Sequence, residues 1–207
     1  MDEARQVQWI RIHPIVVRIT HWINAFAIVI MVSSGWRIYN ASPLFPFRIP
    51  DDITLGGWLG GALQWHFAAM WLLATNGLTY LAYGVISGHF RRKFWPILPR
   101  AVIADVLAAF RGHLDHGDLA VYNAAQRAAY ATLILAIIVL VVSGLAIWKP
   151  VQLQSIAALL GGYEGARLVH FLAMTLTVFV VVVHVAMVAL VPKTFLTMIT
   201  GRIRSGS

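Results

Sequence analysis

Histidine is the residue type whose placement in this chain points to chemistry. Of eight histidines, four (His21, His66, His170 and His184) fall inside long apolar stretches. An ionisable side chain at such a position is costly and needs a partner. One alone would read as a neutral imidazole hydrogen-bonded to a neighbouring helix; four together weaken that reading. The chain has no cysteine, which removes disulfides, thiolate zinc sites, cysteine-ligated iron–sulfur clusters and C-x-x-C-H haem attachment. A redox metal here rests on His, Met or carboxylate. No Asp or Glu occurs in the four apolar stretches, which disfavours zinc and di-iron sites with three or four ligands.

The elements that must carry these histidines are membrane helices. The chain has 207 residues, 59% apolar and 12% charged, against about 45–50% and about 25% in soluble domains. Such a composition leaves too few polar groups to cover a soluble surface. Four stretches, Ile15–Trp36, Leu59–Ile86, Ala128–Trp148 and Leu168–Val191, reach the roughly 20 residues that a spanning helix needs. Lipid offers no partner to backbone polar groups, so each must be helical, and no alternating pattern of a barrel is present. The expected fold is all-α, an integral membrane four-helix bundle forming a single domain over residues 1–207.

Lys and Arg set the orientation. Arg5, Arg11, Arg18, Arg91, Arg92, Lys93, Arg100, Arg111, Arg127, Lys193, Arg202 and Arg204 lie on one side, and only Arg37, Arg48, Lys149 and Arg167 on the other. Positive charge stays cytoplasmic, so both termini and the loop 89–127 are expected inside. Trp36, Trp58 and Trp148 would mark the outer interface, Trp22 and Trp95 the inner one. The first stretch carries Arg18 and His21 and no convincing cleavage site, which is not a signal peptide. Within the loop, Ile103, Leu107, Phe110 and Leu114 share a helical face between Arg100 and Arg111. A helix over Arg100–Leu114 would lie on the cytoplasmic membrane surface or be a solvated loop helix. The net charge of +8 is explained by anionic lipid and topology rather than nucleic acid.

Depth pairs the histidines. His170 and His184 are 14 residues apart on one helix, roughly 21 Å along its axis and within about 40° of one face. The fourth helix runs outside to inside, which puts His170 at the outer level and His184 at the inner one. His21 lies just inside the cytoplasmic end of the first helix, and His66 about two turns into the second from outside. His21 and His184 therefore share the inner level, His66 and His170 the outer. Two imidazoles at one level suit axial ligation of a haem iron from both sides. With both axial positions filled, such an iron passes electrons and binds no substrate.

Arg18 stands three residues before His21, and Arg167 three before His170, each one turn closer to water. Arg is suited to the two propionates of a porphyrin; snorkelling and the positive-inside bias account well for Arg18 and poorly for Arg167. Gly35, 14 residues beyond His21, and Gly144, in Ser143-Gly144, supply small surface where a flat macrocycle would press on a helix, as well as ordinary glycine packing.

These residues carry a resemblance over nearly the whole chain. His13-Pro14, Arg18-Ile-Thr-His21-Trp-Ile-Asn-Ala25, Ser34-Gly-Trp-Arg-Ile-Tyr39, Leu55-Gly-Gly-Trp-Leu-Gly-Gly61, Trp65-His-Phe67, Ser143-Gly-Leu-Ala-Ile-Trp-Lys-Pro150 and Arg167-Leu-Val-His170 resemble bacterial di-haem b-type cytochrome subunits. Those serve formate dehydrogenases, nickel–iron hydrogenases and thiosulfate reductases, and the thiosulfate-reductase type matches best. Phe171 after His170 departs from the paired histidines of hydrogenase subunits. The resemblance implies two haem b, with His21 paired to His184 and His66 to His170, in the bacterial inner membrane. It implies an electron-transfer subunit of a respiratory chain, linking membrane quinone to an extracytoplasmic, molybdopterin-containing oxidoreductase. A quinone site beside the inner haem would use His13 or His89, both also readable as solvated interfacial histidines, as His89 is preferentially read here. His113-x-x-His116 lacks a third placed ligand and is discounted as a metal site. Two other classes share features with this reading. One is a stand-alone cytochrome acting on superoxide or ferric ion, which would turn over without a partner. The other is a His-dependent proton or ion transporter, which would lack haem.

Overall fold

The computed structural model describes residues 9–88, 90–91, 96–111 and 123–204. His89, His113, Leu114 and His116 lie outside the described residues, and so do the readings attached to them. Among the described residues the regular structure is helical apart from one short strand pair. Its helices are α1 (Ile15–Ala41), α2 (Leu59–Ile86), α3 (Pro99–Phe110), α4 (Ala124–Trp148), α5 (Gln154–Leu159), α6 (Gly162–Leu190) and α7 (Pro192–Thr200). Four of them, α1, α2, α4 and α6, are long and apolar enough to cross a membrane.

Two compact units form. Of the described residues, the first holds 9–88, 90 and 187–204, and the second holds 91, 96–111 and 123–186. In the first unit α1 and α2 are the main helix pair. Their buried positions include Val17, Thr20, Ala27 and Ser34 on α1 and Ala62, Ala69, Leu73 and Asn76 on α2. That is the three-and-four spacing of one helix face, filled mostly by small residues that let membrane helices approach closely. A polar tie crosses it: Asn76 Nδ2 donates to the Thr20 carbonyl and to Asn24 Oδ1, both at 2.7 Å. The first and last described segments meet in this unit. Strands β1 (Trp9–Arg11) and β2 (Arg202–Arg204) pair antiparallel, with Trp9 opposite Arg204 and Arg11 opposite Arg202.

The spans α1, α4 and α6 differ from the sequence expectation at one end by several residues, and α3 covers Pro99–Phe110 rather than Arg100–Leu114. Helix α1 runs on from Trp36 to Ala41 because its last turn is anchored to the following loop. Tyr39 Oη donates to the Phe47 carbonyl at 3.2 Å, and the Asn40 amide both donates to and accepts from the Ile49 backbone. Helix α4 starts at Ala124, four residues before Ala128, because Asn123 and Gln126 form a capping box. The Asp105 carboxylate on α3 also accepts from the Ala124 and Ala125 amides, at 2.7 and 3.2 Å. Helix α6 starts at Gly162 rather than Leu168, adding the turn that carries Glu164 and Arg167. Helix α3 leaves Ile103 and Leu107 exposed, which fits the amphipathic face expected of it. In the second unit, Ala146, Ala157 and Ala166 bury together, seating α5 against the ends of α4 and α6. Short α5 and α7, and the strand pair, had no counterpart in the sequence reading.

Candidate functional site

Within α6 the buried residues Ala166, Ala173 and Thr177 fall on the same face as His170, with steps of four and three. His184 is seven residues beyond Thr177, nearly two turns on the same face. His170 is half-buried and His184 exposed; His21 on α1 and His66 on α2 are half-buried. The His21 ring meets the Trp22 ring edge-on, with centroids 5.2 Å apart.

His66 and His170 share one local arrangement, built twice. In the first unit His66 Nδ1 lies 3.0 Å from Ser34 Oγ. Gly35 follows Ser34, and a Cβ there would sit 3.4 Å from His66 Cε1. In the second unit His170 Nδ1 lies 3.0 Å from Ser143 Oγ. Gly144 follows Ser143, and a Cβ there would sit 3.2 Å from His170 Cε1. Both serines are fully buried. The room left by each glycine is thus taken up beside an imidazole ring. Ser34 and Ser143 were missed as site residues, although the Ser-Gly dipeptide recurs on two spans and was a usable signal.

The two arginines have protein partners. Arg18 Nε donates to the Met198 carbonyl of α7 at 3.3 Å. Arg167 pairs with Glu164 at 2.8 Å and its guanidinium lies 5.9 Å over the Tyr163 ring. His13 is buried, 9% exposed. Its backbone amide, with that of Ile12, donates to the Gly201 carbonyl. Gly201 has φ of +75°, a left-handed turn that suits glycine, and a Cβ there would press on the His13 carbonyl and Arg18.

The donor set fits a haem iron. Neutral imidazole is a nitrogen ligand whose other ring nitrogen is ordinarily fixed by a hydrogen bond. The Ser34–His66 and Ser143–His170 contacts at Nδ1 have that form and would leave Nε2 for an iron.

The sequence profile of one family, described as prokaryotic cytochrome b561, matches residues 12–201. A putative protein-methionine-sulfoxide reductase subunit, YedZ1, of Azospira oryzae is 61% identical over 190 residues, covering 92% of this chain and 96% of that protein. A probable Ni/Fe-hydrogenase B-type cytochrome subunit of Cupriavidus necator is 25% identical, covering 82% of this chain and 74% of that protein. A subunit of the same description from Bradyrhizobium diazoefficiens is 26% identical over 66% of this chain.

Proposed function

The chain belongs to the prokaryotic cytochrome b561 family, and from that premise we propose that it carries electrons between membrane quinone and an extracytoplasmic catalytic subunit. As a member of that family it is a b-type cytochrome, a multi-pass protein of the bacterial inner membrane that transfers electrons. Haem b, when bound, supplies a one-electron couple between ferric and ferrous iron.

Two haems per chain are proposed. His66 and His170 would ligate the outer one, and His21 and His184 the inner one. The single observation that carries this reading is the repeated Ser–His–Gly arrangement at His66 and His170. It supports a matched role for two histidines on different spans. The 14-residue step from His170 to His184 supports a second level on α6, roughly 21 Å away. Each guanidinium has five donors. Arg18 and Arg167 would hold propionates while keeping Met198 and Glu164 as partners. Gly35 and Gly144 would let the ligand rings lie close to α1 and α4. His13 would serve the quinone by exchanging protons at the inner face.

The relative at 61% identity supports a partner that reduces methionine sulfoxide in proteins. A molybdopterin enzyme is the proposed partner class. Reduction of the sulfoxide consumes two electrons and two protons and yields methionine and water, so electrons would flow from quinol to the partner. The test is reduction of the purified cytochrome by quinol, then addition of the co-expressed extracytoplasmic partner with a sulfoxide-bearing peptide. Reoxidation that requires both additions is expected. Turnover on superoxide or ferric ion without the partner would overturn the subunit reading.

A further inference from the structure

Serine has one hydroxyl proton and can accept at its oxygen. In Ser34 the proton is committed, because Oγ donates to the Ile30 carbonyl one turn back at 2.5 Å. Ser143 Oγ likewise donates to the Val139 carbonyl at 2.6 Å. Each hydroxyl therefore meets its histidine as an acceptor, and His66 Nδ1 and His170 Nδ1 must donate to it across 3.0 Å. In both rings Nδ1 bears the proton and Nε2 the lone pair.

We propose that Ser34 and Ser143 are positioning residues that hold His66 and His170 in the ligating tautomer and lower the reduction potential of the haem they bind. The proposal rests on the reading of those two histidines as ligands. A hydrogen bond that draws on Nδ1–H makes the imidazole a more basic ligand, and a more basic ligand favours ferric iron. The helix backbone fixes each hydroxyl: Oγ is tied to its own helix one turn back, and Ser34 and Ser143 are 0% exposed. The absence of a Cβ at Gly35 and Gly144 lets each ring approach that hydroxyl. Each serine sits on a different helix from the histidine it holds.

The test is an optical redox titration of the purified holoprotein carrying Ser34→Ala or Ser143→Ala, with Ser34→Thr and Ser143→Thr as rescue variants. His66→Ala and His170→Ala are titrated beside them. Both alanine variants should raise the midpoint of the same single haem and leave the other where it was. They should also weaken retention of that haem by about tenfold or more. Threonine, which keeps the hydroxyl, should restore the potential. Alanine variants that titrate like the parent would overturn the serine role, as would equal movement of both midpoints, which marks a general structural effect. The histidine variants separate the two failures. Loss of one haem there with silent serine variants removes only the serine role, whereas retention of both haems removes the ligand reading and the proposal with it.

Discussion

Replacing Gly144 by alanine adds one carbon beside one imidazole. The added Cβ would lie 3.2 Å from His170 Cε1 and 3.6 Å from Nδ1, whereas carbon atoms settle at about 3.5–4.0 Å. Relief needs the ring to retreat by about 0.3 Å. The Ser143–His170 bond is already 3.0 Å, and a further stretch of that size takes it past the usual range of about 2.7–3.2 Å for N–H···O. A typical hydrogen bond contributes about 0.5–1.5 kcal/mol, so a loss of about 1 kcal/mol is expected, roughly fivefold in haem affinity. Gly35 is the internal control, because its Cβ would meet His66 Cε1 at 3.4 Å, the edge of ordinary contact. Both glycines are helical, and both substitutions gain the same helix propensity, about 1 kcal/mol, which cancels in the comparison. The assay is haem release from each variant to an excess of apo-globin, with thermal unfolding alongside. Gly144→Ala should release one haem about five times faster than Gly35→Ala, which should match the parent. Equal release from the two variants, or faster release from Gly35→Ala, would refute the reasoning.

Two further outcomes follow from the ties between helices. Asn76→Leu removes both donations from α2 to α1. Interhelical hydrogen bonds in membranes average about 0.6 and reach about 1.7 kcal/mol each, so a loss of about 1–2 kcal/mol is expected in a detergent unfolding titration, and unchanged stability would contradict it. Asp105→Ala takes away the acceptor of the Ala124 and Ala125 amides. It should cost about 1 kcal/mol, as loss of a cap does, and show as faster amide exchange confined to the first turn of α4; exchange at the parent rate there would count against the cap.

The four spans were legible because twenty apolar residues in a row leave the backbone one option in lipid. The bounds of α2 match the expectation from sequence. The missed extensions of α1, α4 and α6 are polar: Asn40, Asn123 and Glu164 interrupt the hydropathy signal while capping or anchoring a turn. Asn123-x-x-Gln126 was readable as a capping box, but Asp105 was not, since its partners lie 19 and 20 residues away. The pairing of β1 with β2 and the tie of Arg18 to Met198, the latter between residues 180 apart in sequence, leave no local pattern. At the candidate site, the histidines announced themselves by their cost in an apolar span. Ser34 and Ser143 did not, because a serine in a membrane helix ordinarily satisfies itself on its own backbone. Their second bond, to His66 and His170, depends on which helix face meets which.

The central claim is two haem b per chain held by four histidines, and the most direct measurement is haem b counted against protein in the purified chain and its histidine variants. The parent should carry two per chain. His66→Ala and His170→Ala should each leave one, the same one, and His21→Ala and His184→Ala should each leave the other. A parent with one haem per chain, or His66→Ala and His170→Ala variants that retain different haems, would contradict the account.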